Sequence, residues 1–292
     1  MPKKNIMLAK MLFISIFLVI IVAIILLVVV WSNFANNISG QDAIQEYENM
    51  KSGTFIYEIY DNNYALQKYL EKINTYLLNS DIENLYNLLS EDYKEYYGST
   101  RESIYSNLKG KNAFGKQFLA ADYIVTNIEN KNVYKVKLNS NDNTTSLDIN
   151  IIEESPNKFK IALDEFIMRV NRNTEQTING LTLKIKDVIY FNNRILTNTT
   201  LTNSNNYYVT INYQALNENV FYRVGNGNNS IDYITEASVF NGEVKTMSSN
   251  SDIELKFDLH TDSNIFNSIS SLVIKDVKLT ENSSSMELVY DF

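Results

Sequence analysis

The residues that could carry acid–base chemistry are few in this sequence. His260 is the only histidine, and it stands between Asp258 and Asp262. One imidazole without further His or Cys ligands cannot build a zinc site. A Ser-His-Asp triad also needs a positioned serine, and the chain has no G-x-S-x-G motif to supply one. We therefore predict a structural position for His260, at the end of a strand.

The carboxylates also lack the spacing of a known site. Asn141-Asp142-Asn143 and Asp61-Asn62-Asn63 offer oxygen ligands but lack the glycine and distal glutamate of an EF-hand loop, so turns explain them better. Glu153-Glu154 and Asp164-Glu165 are adjacent pairs, whose side chains would point to opposite faces of a strand. Phosphate-binding and dinucleotide-binding glycine motifs are missing. These observations predict no catalytic residue, no metal site and no cofactor.

Composition narrows the class of protein. The chain has 292 residues, a net charge of −8, no cysteine, 20 tyrosines and 14 phenylalanines. An acidic exterior disfavours nucleic-acid binding, which needs clustered Lys and Arg. Without cysteine there is no disulfide, thiol nucleophile or thiolate metal site. The heavy use of Asn and Ile is typical of AT-rich bacterial genomes and indicates a bacterial protein.

An apolar run, Met11–Trp31, predicts a membrane anchor. A helix over this run is roughly 31 Å long, close to the thickness of a bilayer core. Lys3, Lys4 and Lys10 precede it, so the positive-inside rule predicts a short cytoplasmic tail (residues 1–10), a single pass through the cell membrane and an extracellular C-terminal part. The alternative is a cleaved signal peptide. Two observations disfavour it, because the apolar run is longer than that of a usual signal peptide and no clear cleavage site follows.

After the predicted anchor, the spacing of the hydrophobic residues changes along the chain and divides it into regions. Residues 32–61 are polar and favour a juxtamembrane spacer over a self-association helix. Residues 62–168 begin with helical apolar spacing, as in Leu66, Leu70 and Ile73, and change after Gly115 to strand-like alternation. Helices followed by an antiparallel sheet predict an α+β fold for this region.

The second half reads as strands and turns throughout. Residues 169–176 are polar and predict a linker. Residues 177–292 contain alternating runs around Leu183, Val209 and Leu255, separated by Gly- and Asn-rich turns. This spacing predicts a β-sandwich domain.

The order of the segments "NSDIENLYNLL", "STRESIYSNL", "VYKVKL" and "KFKIALDEF" resembles the NTF2-like cone fold over about residues 62–168. The second half is similar to immunoglobulin-like accessory domains, although it lacks the Cys-Trp-Cys core. The first resemblance implies a scaffold or a ligand pocket more often than an enzyme.

Two functions remain open at this stage. One is a membrane-anchored, non-catalytic interaction or scaffold protein of the bacterial cell envelope, binding another envelope protein or a cell-wall component. The other is a structural subunit of a conjugative or type IV secretion-like complex; an NTF2-like enzyme would need an acid–base pair inside the cone. Tyrosine suits protein contacts because its flat ring also carries a hydroxyl. The predicted contact residues are Tyr93, Tyr96, Tyr97, Phe114, Tyr207 and Tyr222.

Overall fold

A computed structural model describes residues 64–225, 230–235, 243–280 and 283–292. The predicted tail, anchor and spacer (residues 1–61) lie outside these ranges. Within them, no helix is both long and apolar enough to cross a membrane, so the structure does not show the membrane-spanning helix that we expected.

Four helices open the described part of the chain. They are α1 (Tyr64–Leu78), α2 (Ile82–Leu88), α3 (Glu91–Tyr97) and α4 (Arg101–Gly110). The apolar stripe predicted on α1 is buried, which confirms its helical period. Short polar side chains accept hydrogen bonds from the first free backbone N–H groups of α2, α3 and α4, and thereby fix where each helix begins.

A four-stranded antiparallel sheet, called sheet 1, follows the helices. Its strands are β1 (Phe118–Ile128), β2 (Lys131–Ser140), β3 (Ser146–Ser155) and β4 (Lys158–Leu163), paired in chain order. The helices join its buried apolar side chains in one hydrophobic core.

The rest of the described chain forms two more sheets. Their strands are β5 (Phe166–Ile178), β6 (Leu181–Phe191), β7 (Arg194–Asn203), β8 (Val209–Ile211), β9 (Val220–Val224), β10 (Ile231–Ile234), β11 (Lys245–Met247), β12 (Ser251–His260), β13 (Ile269–Lys278) and β14 (Met286–Asp291), with a 3₁₀ helix at Ser263–Ser268. Sheet 2 has the order β12-β7-β6-β5, and sheet 3 has the order β10-β9-β13-β8-β11, with β14 also paired to β13.

Sheets 2 and 3 are held together by aromatic side chains. The Tyr222 ring on β9 packs edge-on against Phe257 of β12, with 5.9 Å between ring centroids. The Tyr222 hydroxyl lies 2.9 Å from the Phe257 carbonyl oxygen and 2.7 Å from Thr197 Oγ1. The Tyr290 hydroxyl on β14 donates to the Leu181 carbonyl of β6. These polar contacts satisfy hydroxyl groups that would otherwise be buried without partners.

The predicted α+β fold class is wrong. Strands hold 52% of the described residues and helices 21%, and the predicted α+β cone is not shown. Residues 64–110 form helices, as their apolar spacing predicted. The error was to treat these helices as a major part of the fold, which is built mainly of strands. The strand pattern that follows it continues through three sheets, and Tyr64–Phe292 is one compact unit.

The stretch predicted as a linker, residues 169–176, lies inside β5. This strand is at the edge of sheet 2, where β6 is its ladder partner. Its first residues, Phe166, Ile167 and Met168, are buried, whereas none of those that follow is buried and half of them are exposed. An edge strand with solvent on one face carries polar side chains, and its sequence therefore resembles that of a loop.

Removing the buried Tyr222 hydroxyl should destabilise the protein. Tyr222→Phe leaves the Phe257 carbonyl and the Thr197 hydroxyl without this partner. We expect the free energy of unfolding to fall by about 1–3 kcal/mol. Urea denaturation would measure the change, with Tyr213→Phe as the matched control because Tyr213 is exposed. Equal, negligible effects of the two variants would contradict the packing of sheet 3 on sheet 2.

A charge network on sheet 3 gives a pH-dependent prediction. The hydrogen bond from Arg223, supported by the Lys275 ammonium, lowers the pKa of Asp232 to about 2 from its ordinary 3.8. A lowered carboxyl pKa contributes stability above the ordinary pKa, and this stability is lost as the pH falls through the lowered one. Asp232→Asn should therefore cost about 1 kcal/mol at neutral pH, and the difference from wild type should vanish as the pH falls from 3.8 towards 2.

The control for this prediction is Asp252→Asn, since Asp252 is exposed and forms no ion pair within the described ranges. Urea denaturation at several pH values would compare the two variants. A cost of Asp232→Asn that stays constant across the acid range would contradict the assignment.

Candidate functional site: an aromatic cleft

Helix α3 places three tyrosines against the start of β5. Tyr93, Tyr96 and Tyr97 lie three and four residues apart and so share one face of the helix. Phe166, fully buried, stacks on the Tyr96 ring at a centroid distance of 5.3 Å. The Tyr93 and Tyr97 rings meet the same phenylalanine at 5.7 and 5.9 Å. Phe191 packs edge-on against it as well, which completes a cluster of five rings.

The outer part of this cluster forms a wall of an open cleft. Tyr96 is 36% exposed and Tyr97 is 49% exposed, whereas Tyr93 is buried beneath them. The cleft has a volume of about 890 Å³ and is lined by Tyr96, Tyr97, Lys111, Ser146, Leu147, Asp148, Asp164, Glu165, Phe191, Asn192 and Arg194. This volume lies in the range of sites that hold a small molecule or a few residues of a peptide.

The cations of the cleft are already paired. Lys111 forms an ion pair with Asp164, and both side chains are partly exposed. Arg194 donates two hydrogen bonds to Asp258, at 2.7 and 2.6 Å. The guanidinium of Arg194 also stacks over the Phe191 ring, 5.2 Å from its centroid. Both positive charges are therefore held in place by groups of the protein itself.

Two carboxylates of the cleft are not paired in this way. Asp148 and Glu165 are exposed, and neither forms an ion pair or a side-chain hydrogen bond among the described residues. Asp148 is on β3, opposite Lys137 in the strand register, and Lys137 forms no ion pair in the described part of the chain. Glu165 is in the turn between β4 and β5, directly after Asp164, whose φ of 59° is left-handed.

The burial of Tyr97 and the charges around it shift the pKa of its hydroxyl. Partial burial raises its pKa above the ordinary value, and the nearby Tyr96, Asp164 and Glu165 raise it further, while Arg194 opposes the shift. The Tyr97 phenol therefore stays protonated and neutral across the physiological pH range. It can donate a hydrogen bond but cannot act as a base.

A charged contact fastens α3 to sheet 2. Arg169 of β5 donates to Asp187 of β6 from Nη2 at 2.6 Å and from Nε at 3.1 Å. The same guanidinium reaches Glu95 on α3 at 3.1 Å. Asn198 donates a further hydrogen bond to the Asp187 carboxylate, which is nearly buried. The aromatic wall is thereby held in a fixed position relative to the strands.

The four predicted contact residues of the first half occupy different positions. Tyr96 and Tyr97 line the cleft, and Tyr93 supports them from below. Phe114 is half-buried and stacks on Tyr105, with 5.2 Å between centroids, so the structure does not bring it to the cleft.

The two candidates in the second half differ from each other. Tyr207 is 37% exposed and lies just before β8, whereas Tyr222 is fully buried between sheets 2 and 3. Val220, Phe221 and Tyr222 are consecutive and all buried, so β9 is covered on both faces at this point. A buried ring in that position cannot contact a partner.

The charged residues of the cleft were missed. We treated Asp164-Glu165 as a strand pair with opposite faces, but the two residues form the turn between β4 and β5. A turn lets both side chains reach the same cleft. An acidic pair between two alternating apolar runs could have indicated that turn. Asp148, Lys111 and Arg194 come from three separate elements, and no local pattern links them.

Other chemistry finds little support in the described ranges. No group there of three or more His, Cys, Asp or Glu side chains is placed to hold a metal ion. His260 is the last residue of β12 and is exposed, which confirms its predicted position at a strand end. It pairs in register with Arg194.

This chain matches no family model, no curated protein and no solved structure with which it was compared. The resemblances to NTF2-like and immunoglobulin-like domains gain no support from these comparisons.

Two alanine variants test whether Tyr93 is the buried ring that supports the wall and Tyr97 the ring at the surface. Tyr93→Ala should lower the free energy of unfolding by about 3–5 kcal/mol, because it empties a buried site. Tyr97→Ala, which removes a half-exposed ring, should cost about 1 kcal/mol. Chemical denaturation of both variants would measure the two values. A larger cost for Tyr97→Ala than for Tyr93→Ala would show that the roles are reversed.

Proposed function

We propose that this protein is a non-catalytic interaction protein of the bacterial cell envelope and that it binds its partner at the Tyr96–Tyr97 wall of the cleft. The observation that carries the proposal is the pair of exposed rings backed by buried Phe166. Rigid, amphipathic rings on a fixed support are what a recognition surface needs, because little conformational entropy is lost when they bind.

The location is proposed from sequence alone. The apolar run at residues 11–31, preceded by lysines, supports attachment to the cell membrane with the described part on the outer side. The acidic charge of the chain supports a protein or cell-wall partner rather than a nucleic acid.

The exposed acids of the cleft favour binding over catalysis. A general acid at neutral pH needs a carboxyl group shielded from water, so that its proton is retained. Glu165 and Asp148 are exposed, and Asp164 is held by Lys111. This arrangement supports recognition of a partner by charge and shape.

Site-specific crosslinking in living cells tests the proposal. A photoreactive phenylalanine at position 97 should capture a reproducible envelope partner, because this side chain lines the cleft. The matched control is position 213, where Tyr213 is equally exposed but outside the cleft. Mass spectrometry of the adducts would identify the partner and would distinguish a subunit of a secretion-like complex from a cell-wall protein.

The same experiment can contradict the proposal. If positions 97 and 213 capture the same proteins in the same amounts, the cleft has no specific partner. Turnover of a cell-wall substrate that is lost in Glu165→Gln would replace binding by catalysis.

A further inference from the structure

We propose that the segment bound by the cleft is basic, and that it places a lysine or arginine side chain between the Tyr96–Tyr97 wall and the free carboxylates of Glu165 and Asp148. This inference rests on the proposed function, and it names the chemistry of the partner.

The aromatic wall is suited to a cation. The face of a tyrosine ring attracts an ammonium or guanidinium group, and the attraction grows as water is excluded. The protein uses this contact within its own fold. The Lys278 ammonium lies 4.1 Å from the centroid of the exposed Tyr213 ring, and the Lys275 ammonium lies 4.4 Å from that of Phe221. Tyr96 and Tyr97 offer two partly exposed rings in one place.

The charges that line the cleft favour a positively charged segment of the partner. Each cation that lines the cleft is neutralised by a carboxylate of the protein, Lys111 by Asp164 and Arg194 by Asp258. Glu165 and Asp148 remain without an ion pair in the described ranges. An anionic partner in the cleft would face these two carboxylates, while the two cations that line the cleft are already paired. A cationic partner gains both carboxylates and leaves the existing pairs intact.

The positions of the two carboxylates favour an extended segment over a single ion. Glu165 follows Asp164, which faces Tyr97 closely enough to raise the pKa of its hydroxyl. Asp148 is on β3 and also lines a second groove of about 240 Å³, whose other lining residues include Ile124, Lys135 and Lys137. Ile124 is one of the exposed apolar residues of β1. A segment that places its cationic residue at the tyrosines and extends into this groove would contact Ile124, and beside Lys135 and Lys137 its own residues would be neutral or acidic.

Binding of labelled peptides to the full-length protein tests this inference. The probes are a lysine-rich peptide, a glutamate-rich peptide and a serine-glycine peptide of equal length. We expect the lysine-rich peptide to bind best, and we expect the double variant Asp148→Lys, Glu165→Lys to weaken that binding at least about tenfold, as expected for two lost charge contacts. Tyr97→Ala should weaken it as well.

Matched controls separate the cleft from the general acidity of the protein. Asp252→Lys changes one charge in the same direction, but Asp252 is on β12 at the end away from His260, roughly 27 Å along the strand. Glu175→Lys, on the exposed part of β5, makes a second change of this kind. Neither control should alter binding more than about twofold, as expected for a surface charge outside the contact.

Each result supports or overturns the inference. If Asp252→Lys and Glu175→Lys combined weaken binding as much as the double cleft variant does, the binding is a non-specific attraction to the acidic protein. Preference for the glutamate-rich or the neutral peptide would overturn the inference directly. A partner captured at position 97 that is indifferent to Asp148→Lys and Glu165→Lys would leave the proposed function standing and remove only the basic segment. Peptide binding at the cleft without any captured partner would do the reverse.

Discussion

The contact on which the arrangement of the described chain depends is the ion pair between Arg169 and Asp187. The Asp187 side chain is almost buried, and a buried carboxylate is tolerated only when it is paired and hydrogen-bonded. Arg169 supplies two hydrogen bonds, and Asn198 supplies a third. The guanidinium also reaches Glu95, whose side chain is mostly exposed, and so adds a weaker contact between sheet 2 and helix α3.

The aromatic cluster depends on that attachment. Phe166 lies three residues before Arg169 on the same strand, and its ring contacts Tyr93, Tyr96 and Tyr97 of α3. Tyr93 lies in the core beneath Tyr96 and Tyr97, which are partly exposed. The packing of these rings on Phe166 and the contact of Arg169 with Glu95 together position the helix on sheet 2. The contacts of Arg169 and the exposed rings of Tyr96 and Tyr97 thus belong to one arrangement.

Local structure could be predicted from the sequence wherever one periodic pattern was complete. The stripe of Leu66, Leu70 and Ile73 gave α1, and alternation in "VYKVKL" gave β2. The fold class could not be predicted in the same way, because it depends on which strands pair. β5 begins with three buried residues and then becomes polar, so residues 169–176 were read as a linker. Only the partner strand β6 shows that the ladder continues through it.

The site was predictable only in part, for a related reason. Tyr96 and Tyr97 were accessible to sequence reasoning because they are adjacent and lie on a short helix. Their burial relative to Tyr93 was not, since it depends on the position of Phe166 across the cluster. Tyr222 shows the limit most clearly, because Val220, Phe221 and Tyr222 form an unbroken apolar run, and only the burial of all three shows that both faces of β9 are covered there.

The continuity of β5 has a mechanical consequence. A flexible linker between two halves would let one half swing while the other is held, and a pull along the chain would straighten that linker first. β5 instead runs from the aromatic cluster into the ladder with β6, from Phe166 to Ile178. A load that enters through this strand along its axis is shared by many backbone hydrogen bonds in shear, so force applied at the cleft reaches sheet 2 with little compliance between them.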